Sequence, residues 1–223
     1  MVTSIRFTRS SVGQKLLMGF TGIFLCLFLV EHLVGNLLLL VDNDGQTFDA
    51  YSEFMSHNFI IRTIELGLFA GFAAHILLGV KLWLANRRAR PDRYAVNRAS
   101  ENSALASRLA FVTGSIVFIF LVVHLRTFFV PARFYAESNP SMYDLVRTAF
   151  QSPLYVGFYL VALALLGYHL RHGFQSAMQT FGVRTEKYRP MIEFAGVLFW
   201  LVIPAVYAVL PLYFLWSHLS GGR

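Results

Sequence analysis

The sequence predicts an all-α integral membrane protein, a bundle of five transmembrane helices forming a single membrane domain over residues 1–223. Three observations predict it. Hydrophobic residues fill 56% of the chain and charged residues only 14%, whereas a soluble domain carries about 25% charge. Five stretches are apolar over the roughly 20 residues that a helix needs to cross about 30 Å of hydrocarbon. Lysine and arginine, finally, gather on one side of those stretches. The low charge and positive mean hydropathy exclude an ordinary soluble globule and, more firmly, a disordered chain.

The first stretch covers residues 16–41. It is too long for a cleaved signal peptide, and no small-residue cleavage site follows it. Leu25 stands before Cys26, where a lipoprotein signal needs a small residue. The second and third stretches cover 64–85 and 109–130. The fourth, 154–177, is the least pure, because His169, Arg171, His172 and Gln175 crowd its second half. The fifth, 192–216, carries Pro204 and Pro211 and is expected to bend. The connections 42–63 and 131–153 read as loops, except that Asn139-Pro140-Ser141 followed by 142–150 reads as a short amphipathic helix on the membrane surface.

Orientation follows from the cationic residues. With the N-terminus in the cytoplasm, the inner side receives Arg6, Arg9, Lys15, Lys81, Arg87, Arg88, Arg90, Arg93, Arg98, Arg108, Arg171, Arg184, Lys187 and Arg189, fourteen of the 19 Lys and Arg. Arg62, Arg126, Arg133, Arg147 and Arg223 fall outside, with the acids Asp42, Asp44, Asp49, Glu53, Glu137 and Asp144. The expectation is N-in, C-out in a bacterial cytoplasmic membrane. The net charge of +7 thus reads as membrane topology, not as affinity for nucleic acid.

Much chemistry is absent. A single cysteine, Cys26, excludes an intrachain disulfide, a C-x-x-C cluster motif and a C-x-x-C-H haem attachment. There is no Gly-rich phosphate loop, no nucleotide fingerprint and no Ser/His/Asp arrangement.

What remains is histidine. Four of the seven sit inside apolar stretches, one on each of the first four: His32, His75, His124 and His169. Ionisable groups within a membrane are costly and usually functional. A lone one often serves as a hydrogen bond between helices; one on each of four successive helices suits two b-type haems, each held by two imidazoles within a helical bundle. Helix one reads F-L-V-E-H-L around His32 and helix three F-L-V-V-H-L around His124; helices two and four read H-x-x-x-G from His75 and His169. The first two histidines are 92 residues apart and the second two 94, a faint parallel repeat. Depth agrees. His32 lies about 15 Å below Asp42 and His124 about 14 Å below Arg133, while His75 lies about 20 Å below Arg62 and His169 about 24 Å below Pro153. His32 and His124 therefore share an outer level, and His75 and His169 an inner one.

Gly35, Gly71, Gly79 and Gly173 lie three or four residues from a ligand candidate, where they give a flat porphyrin room or let helices approach closely. Arg126 and Arg171 are candidates for haem propionates, although their offset of two residues points them off the ligand face and snorkelling also accounts for them. His172 is the rival ligand on helix four, better suited to a propionate or backbone hydrogen bond. A quinone near the outer haem needs a group that exchanges protons; Glu53, His57 and Glu65 are the candidates, with a solvated acid or an ion pair to Arg62 as the plainer account. Glu31 has an open role, and His218 is solvated.

These residues resemble the cytochrome b subunit of succinate:quinone oxidoreductases (succinate dehydrogenase and fumarate reductase), in the single-chain, five-helix, two-haem form of the b558 family. The resemblance runs through F-L-V-E-H-L-V-G-N, A-H-I-L-L-G-V, V-V-H-L-R-T and Y-H-L-R-H-G-F with Phe181-Gly182, and covers nearly the whole chain. It implies that His32 and His124 ligate an outer haem b and His75 and His169 an inner one. It also implies partners: a flavoprotein subunit with FAD and the dicarboxylate site, and an iron–sulfur subunit, both on the cytoplasmic face. Such proteins usually use menaquinone, whose reduction by succinate is uphill; one charge moved through 100 mV supplies about 2.3 kcal/mol. Fumarate reduction would use the same parts.

Two other readings compete. One is a di-haem cytochrome b of a nitrate reductase or hydrogenase, against which the pattern of one histidine per helix argues. The other is a transporter or plain anchor that uses its histidines for hydrogen bonds or proton relay.

Overall fold

The computed structural model describes residues 10–42, 44–88, 105–135 and 141–221. Arg6, Arg9, Arg90, Arg93, Arg98, Glu137, Asn139, Pro140 and Arg223, and the side chain of Arg108, on which parts of the sequence reading rest, lie outside the described residues. Among the described residues the chain forms seven helices, five of them long and apolar enough to cross a membrane.

Helix α1 (Ser11–Leu37) starts where the Ser10 hydroxyl accepts the Gly13 N–H at 3.0 Å. It tightens into a 3₁₀ turn at Leu38–Leu40. The chain then reverses at Gly45, whose φ of 76° favours glycine. The Asp42 carboxylate accepts the Thr47 N–H at 2.9 Å, and its hydrogen bonds with Thr47 hold it below the ordinary carboxylate range. Helix α2 (Gln46–His57) follows, in a stretch read from sequence as a loop. Polar residues are spread through Gln46–His57, so the stretch carries no span-like apolar run, and Phe48 is its one buried residue.

Asn58 caps the next helix by accepting the N–H groups of Ile60 and Ile61 at 2.9 and 3.2 Å. Helix α3 (Phe59–Arg88) begins earlier and ends later than its apolar core. Helix α4 runs over 105–134, with a π-helical turn at Leu125–Phe129. A similar turn, Leu198–Val202, interrupts α7 (Arg189–Leu219). Each π turn ends two residues before a proline, Pro131 or Pro204, whose missing N–H frees a carbonyl one turn back. The fifth span is widened locally at this π turn, and Pro211 stays within the helix.

The short helix expected near 142–150 is present as α5 (Met142–Ala149), capped by the Ser141 hydroxyl on the Asp144 N–H at 3.0 Å. It docks on α2, where the Tyr143 N–H donates to Asp49 Oδ1 at 2.9 Å. Helix α6 (Pro153–Thr180) is the central element. It buries Val156, Tyr159, Leu163, Leu166, Leu170 and Phe174 and packs on α1, α4 and α7. One apolar cluster joins α2, α5 and the adjoining ends of α4, α6 and α7 around Phe48, Phe150 and Phe214. A second sits deeper, around Cys26 and Leu166.

Helix α3 buries none of its residues. It leans on α1 and meets α4 through two aromatic pairs, Phe69–Phe129 at 5.3 Å and Trp83–Phe111 at 4.1 Å, one on either side of His75 in the sequence. Leu27, Val34, Leu66, Leu77, Val122 and Val161 are exposed on the spans. Apolar surface of that extent suits lipid and not water, and the five helices are compatible with a multi-pass membrane protein.

Candidate functional site

The intramembrane histidines meet in two pairs. His32 of α1 and His124 of α4 stand with ring centroids 5.8 Å apart and planes at 84°. His75 of α3 and His169 of α6 stand 6.4 Å apart at 79°. The first pair lies toward the end that carries α2 and α5. The second lies toward the end where α1 starts and α3 and α6 finish, the stretches that carry Lys15, Arg87, Arg88, Arg184 and Lys187. No group of three or more His, Cys, Asp or Glu converges among the described residues, so each candidate centre is a pair of imidazoles.

The donor chemistry fits a haem: each level offers two imidazoles, with ring centroids 5.8 or 6.4 Å apart, and a b-type haem would be held by two imidazoles from the protein.

Each pair has its own surroundings. Around the first, Phe28 stacks on His32 at 5.2 Å, and Phe120 and Phe128 flank His124 at 5.7 and 5.2 Å. The His124 Nδ1 lies 2.9 Å from the Tyr159 hydroxyl. Tyr155 continues that chain, 3.3 Å from the Tyr159 hydroxyl and 3.0 Å from Thr127 Oγ1. The Tyr207 ring lies 6.1 Å from His32, and its hydroxyl donates to the Leu29 carbonyl at 2.9 Å.

Around the second pair the partners are aliphatic hydroxyls. The His75 Nδ1 lies 3.2 Å from Thr21 Oγ1, and the His169 Nδ1 lies 3.4 Å from Thr113 Oγ1. Glycine follows each threonine. A Cβ on Gly22 would stand 3.4 Å from His75 Cε1, and one on Gly114 would stand 3.1 Å from His169 Cε1.

Sequence reasoning did not single out Thr21, Thr113, Gly22, Gly114 or Tyr159. A signal was available. The two Thr-Gly dipeptides are 92 residues apart, the same separation as His32 and His124. Eleven residues, about three turns, separate each threonine from the histidine on its own helix, which puts both on one face about 16 Å apart along the axis.

The glycines that were singled out abut other groups. A Cβ on Gly35 would meet the Tyr51 phenol at 2.7 Å, one on Gly71 would meet Phe24 at 2.7 Å, and one on Gly79 would meet Met18 at 3.5 Å. These three serve close packing of α1 against α2 and α3. Gly173 has open space beside it. Arg126 is exposed. The Arg171 guanidinium lies over the Trp200 ring at 5.2 Å, on the α7 side of α6. His172 is half-buried.

The remaining polar candidates gather at the α2/α5 end. Glu65 pairs with Arg62 at 2.6 Å. Glu53 is exposed, and its carbonyl lies 2.9 Å from the His57 Nδ1. The Tyr51 hydroxyl donates to Glu31 at 2.9 Å. Burial and the Glu31 carboxylate push that phenol up to about 12. His218 is exposed near the end of α7. Compared with known proteins, the chain matches no family model, no curated protein and no solved structure.

Proposed function

We propose that this chain is a di-haem cytochrome b, the membrane anchor and electron-transfer subunit of a succinate:quinone oxidoreductase. In this reading it carries electrons between an iron–sulfur subunit, docked beside a flavoprotein with FAD at the basic end, and a quinone of the menaquinone class at the α2/α5 end. The observation that carries the reading is the meeting of four histidines from four helices as two imidazole pairs at two depths. When bound, each haem supplies a one-electron iron couple.

The chain's own residues would do the rest. His32 with His124, and His75 with His169, hold the two groups. Phe28, Phe120 and Phe128 keep water from the first pair. Glu31 and Tyr51, hydrogen-bonded beside the outer part of α1, join Glu53, His57 and Glu65 as groups able to exchange protons with quinone oxygens. The cationic clusters at the other end favour a cytoplasmic face and a soluble partner there.

The test is optical. The purified complex, reduced by succinate or by a menaquinol analogue, should show a b-type α-band and about two haems per chain by pyridine haemochrome. A colourless preparation from haem-sufficient cells overturns the reading in favour of an anchor or transporter.

A further inference from the structure

We infer that Thr21 and Thr113 are positioning residues that hold His75 and His169 in the Nδ1–H tautomer, which leaves each Nε2 lone pair free for a metal. The inference rests on the di-haem reading and adds to it a difference between the two levels.

The tautomer depends on where the threonine protons go. Thr21 Oγ1 lies 3.0 Å from the Leu17 carbonyl and 3.1 Å from the Met18 carbonyl. Thr113 Oγ1 lies 3.1 Å from the carbonyls of both Leu109 and Ala110. A hydroxyl has one proton and two lone pairs. With that proton donated back to its own helix, the oxygen presents only a lone pair to the imidazole. The imidazole must then donate from Nδ1, and the proton it uses there is absent from Nε2. Back-bonding of this kind is common in threonine within helices. Here it occurs twice, 92 residues apart, each time with an intramembrane histidine on the free side.

The glycines make the contact possible. The His75 and His169 rings lie over Gly22 and Gly114; a Cβ on Gly114 would crowd the His169 Cε1 at 3.1 Å, and one on Gly22 would just touch the His75 Cε1 at 3.4 Å. Each Thr-Gly dipeptide is thus a notch that supplies both the space and the acceptor. Thr113 is 3% exposed, so water does not compete for its oxygen. The other level differs. The Tyr159 hydroxyl sits between His124 and the Tyr155 hydroxyl, and its proton can point either way, so no tautomer is imposed there.

A ligand that donates its second N–H to a fixed acceptor is a stronger base toward the metal, which favours the oxidised ion. Removing the acceptor should therefore raise the midpoint potential of the haem at the His75–His169 level alone. The experiment compares Thr21→Val and Thr113→Val, which keep the side-chain shape, with Thr21→Ser and Thr113→Ser, which keep the hydroxyl. Each is made in the full complex and read by haem content, redox-titrated spectra and low-spin paramagnetic resonance signals.

The expected result is a raised potential or selective loss of one haem in the valine variants, an unchanged second haem, and wild-type values in the serine variants. Valine variants that titrate as wild type in a two-haem complex overturn this inference alone. So does loss of both haems together, or failure of serine to restore what valine removes. A wild-type complex without haem overturns the inference together with the reading beneath it.

Discussion

His75 and His169 stand with ring centroids 6.4 Å apart although they are 94 residues apart in the sequence and lie on two different helices. Their approach requires α3 and α6 to share a register in depth and to rotate the right faces toward each other. The same holds for His32 and His124 on α1 and α4, 92 residues apart. Two pairs built in this way make specific demands, which can be checked residue by residue.

Single substitutions should remove the haems by level. His75→Ala or His169→Ala should leave about one haem per chain, and so should His32→Ala or His124→Ala, with different remaining spectra, because a bis-histidine site needs both axial ligands. His172→Ala should retain both haems. Pyridine haemochrome on the purified variants measures this. If His172→Ala loses the haem that His169→Ala keeps, the ligand on α6 is misassigned.

The two notches should differ in tolerance. A methyl on Gly114 would stand 3.1 Å from the His169 ring, against 3.4 Å for Gly22 and His75. Gly114→Ala should therefore perturb the spectrum of the His75–His169 haem more than Gly22→Ala, since ordinary van der Waals contact is closer to the second distance. Equal effects would show that the rings relax freely.

Gly45→Ala should destabilise the α2/α5 end. Its φ of 76° costs an L-residue about 1–3 kcal/mol, and its new methyl would overlap the Tyr143 ring, which adds an overpacking cost of about 1–3 kcal/mol. Gly182→Ala is the control: its φ is 73° but nothing lies near its Cβ. Thermal melts in detergent should rank Gly45→Ala well below Gly182→Ala.

The contact between Tyr51 and Glu31 should weaken in alkali. Burial and the Glu31 carboxylate raise the Tyr51 phenol from 10.0 to about 12. A folded-state value above the unfolded one means that the folded state holds the proton more tightly. The contribution is complete below pH 10 and is lost as the pH rises toward 12. Stability measured across that window should fall in the wild type, and the Tyr51 part of the fall should vanish in Tyr51→Phe.

Topology can be checked without haem. The proposed orientation puts the Arg87–Arg88 side in the cytoplasm and, with five spans, the residues after Leu219 on the opposite side. A reporter that is active only outside should be silent when inserted after Arg88 and active when fused after Leu219. The reverse pattern would invert the proposed direction of docking and quinone chemistry.

Much of this architecture was legible in the sequence. Hydropathy is a local property, so the positions of five spans could be read directly, and the structure mainly adds residues at their ends and π turns within two of them. Depth could be counted from those ends at a fixed rise per residue, which is why the level shared by each histidine pair was accessible before any fold was known. Helix α2 was not, because a helix that rests on other helices needs only a buried side chain such as Phe48 and an acceptor such as the Asp42 carboxylate for the Thr47 N–H, not a long apolar run. The roles of the glycines were likewise hidden. Gly35, Gly79, Gly22 and Gly114 all sit on plausible faces, but successive residues turn by about 100°, and only the neighbouring helices decide which side chain each one receives. The sequence alone therefore determined how many helices are long and apolar enough to cross and which histidines share a height. The tertiary structure alone decided that Thr21 and Thr113 stand beside the imidazoles of His75 and His169, because that choice depends on how each helix is rotated by its partners.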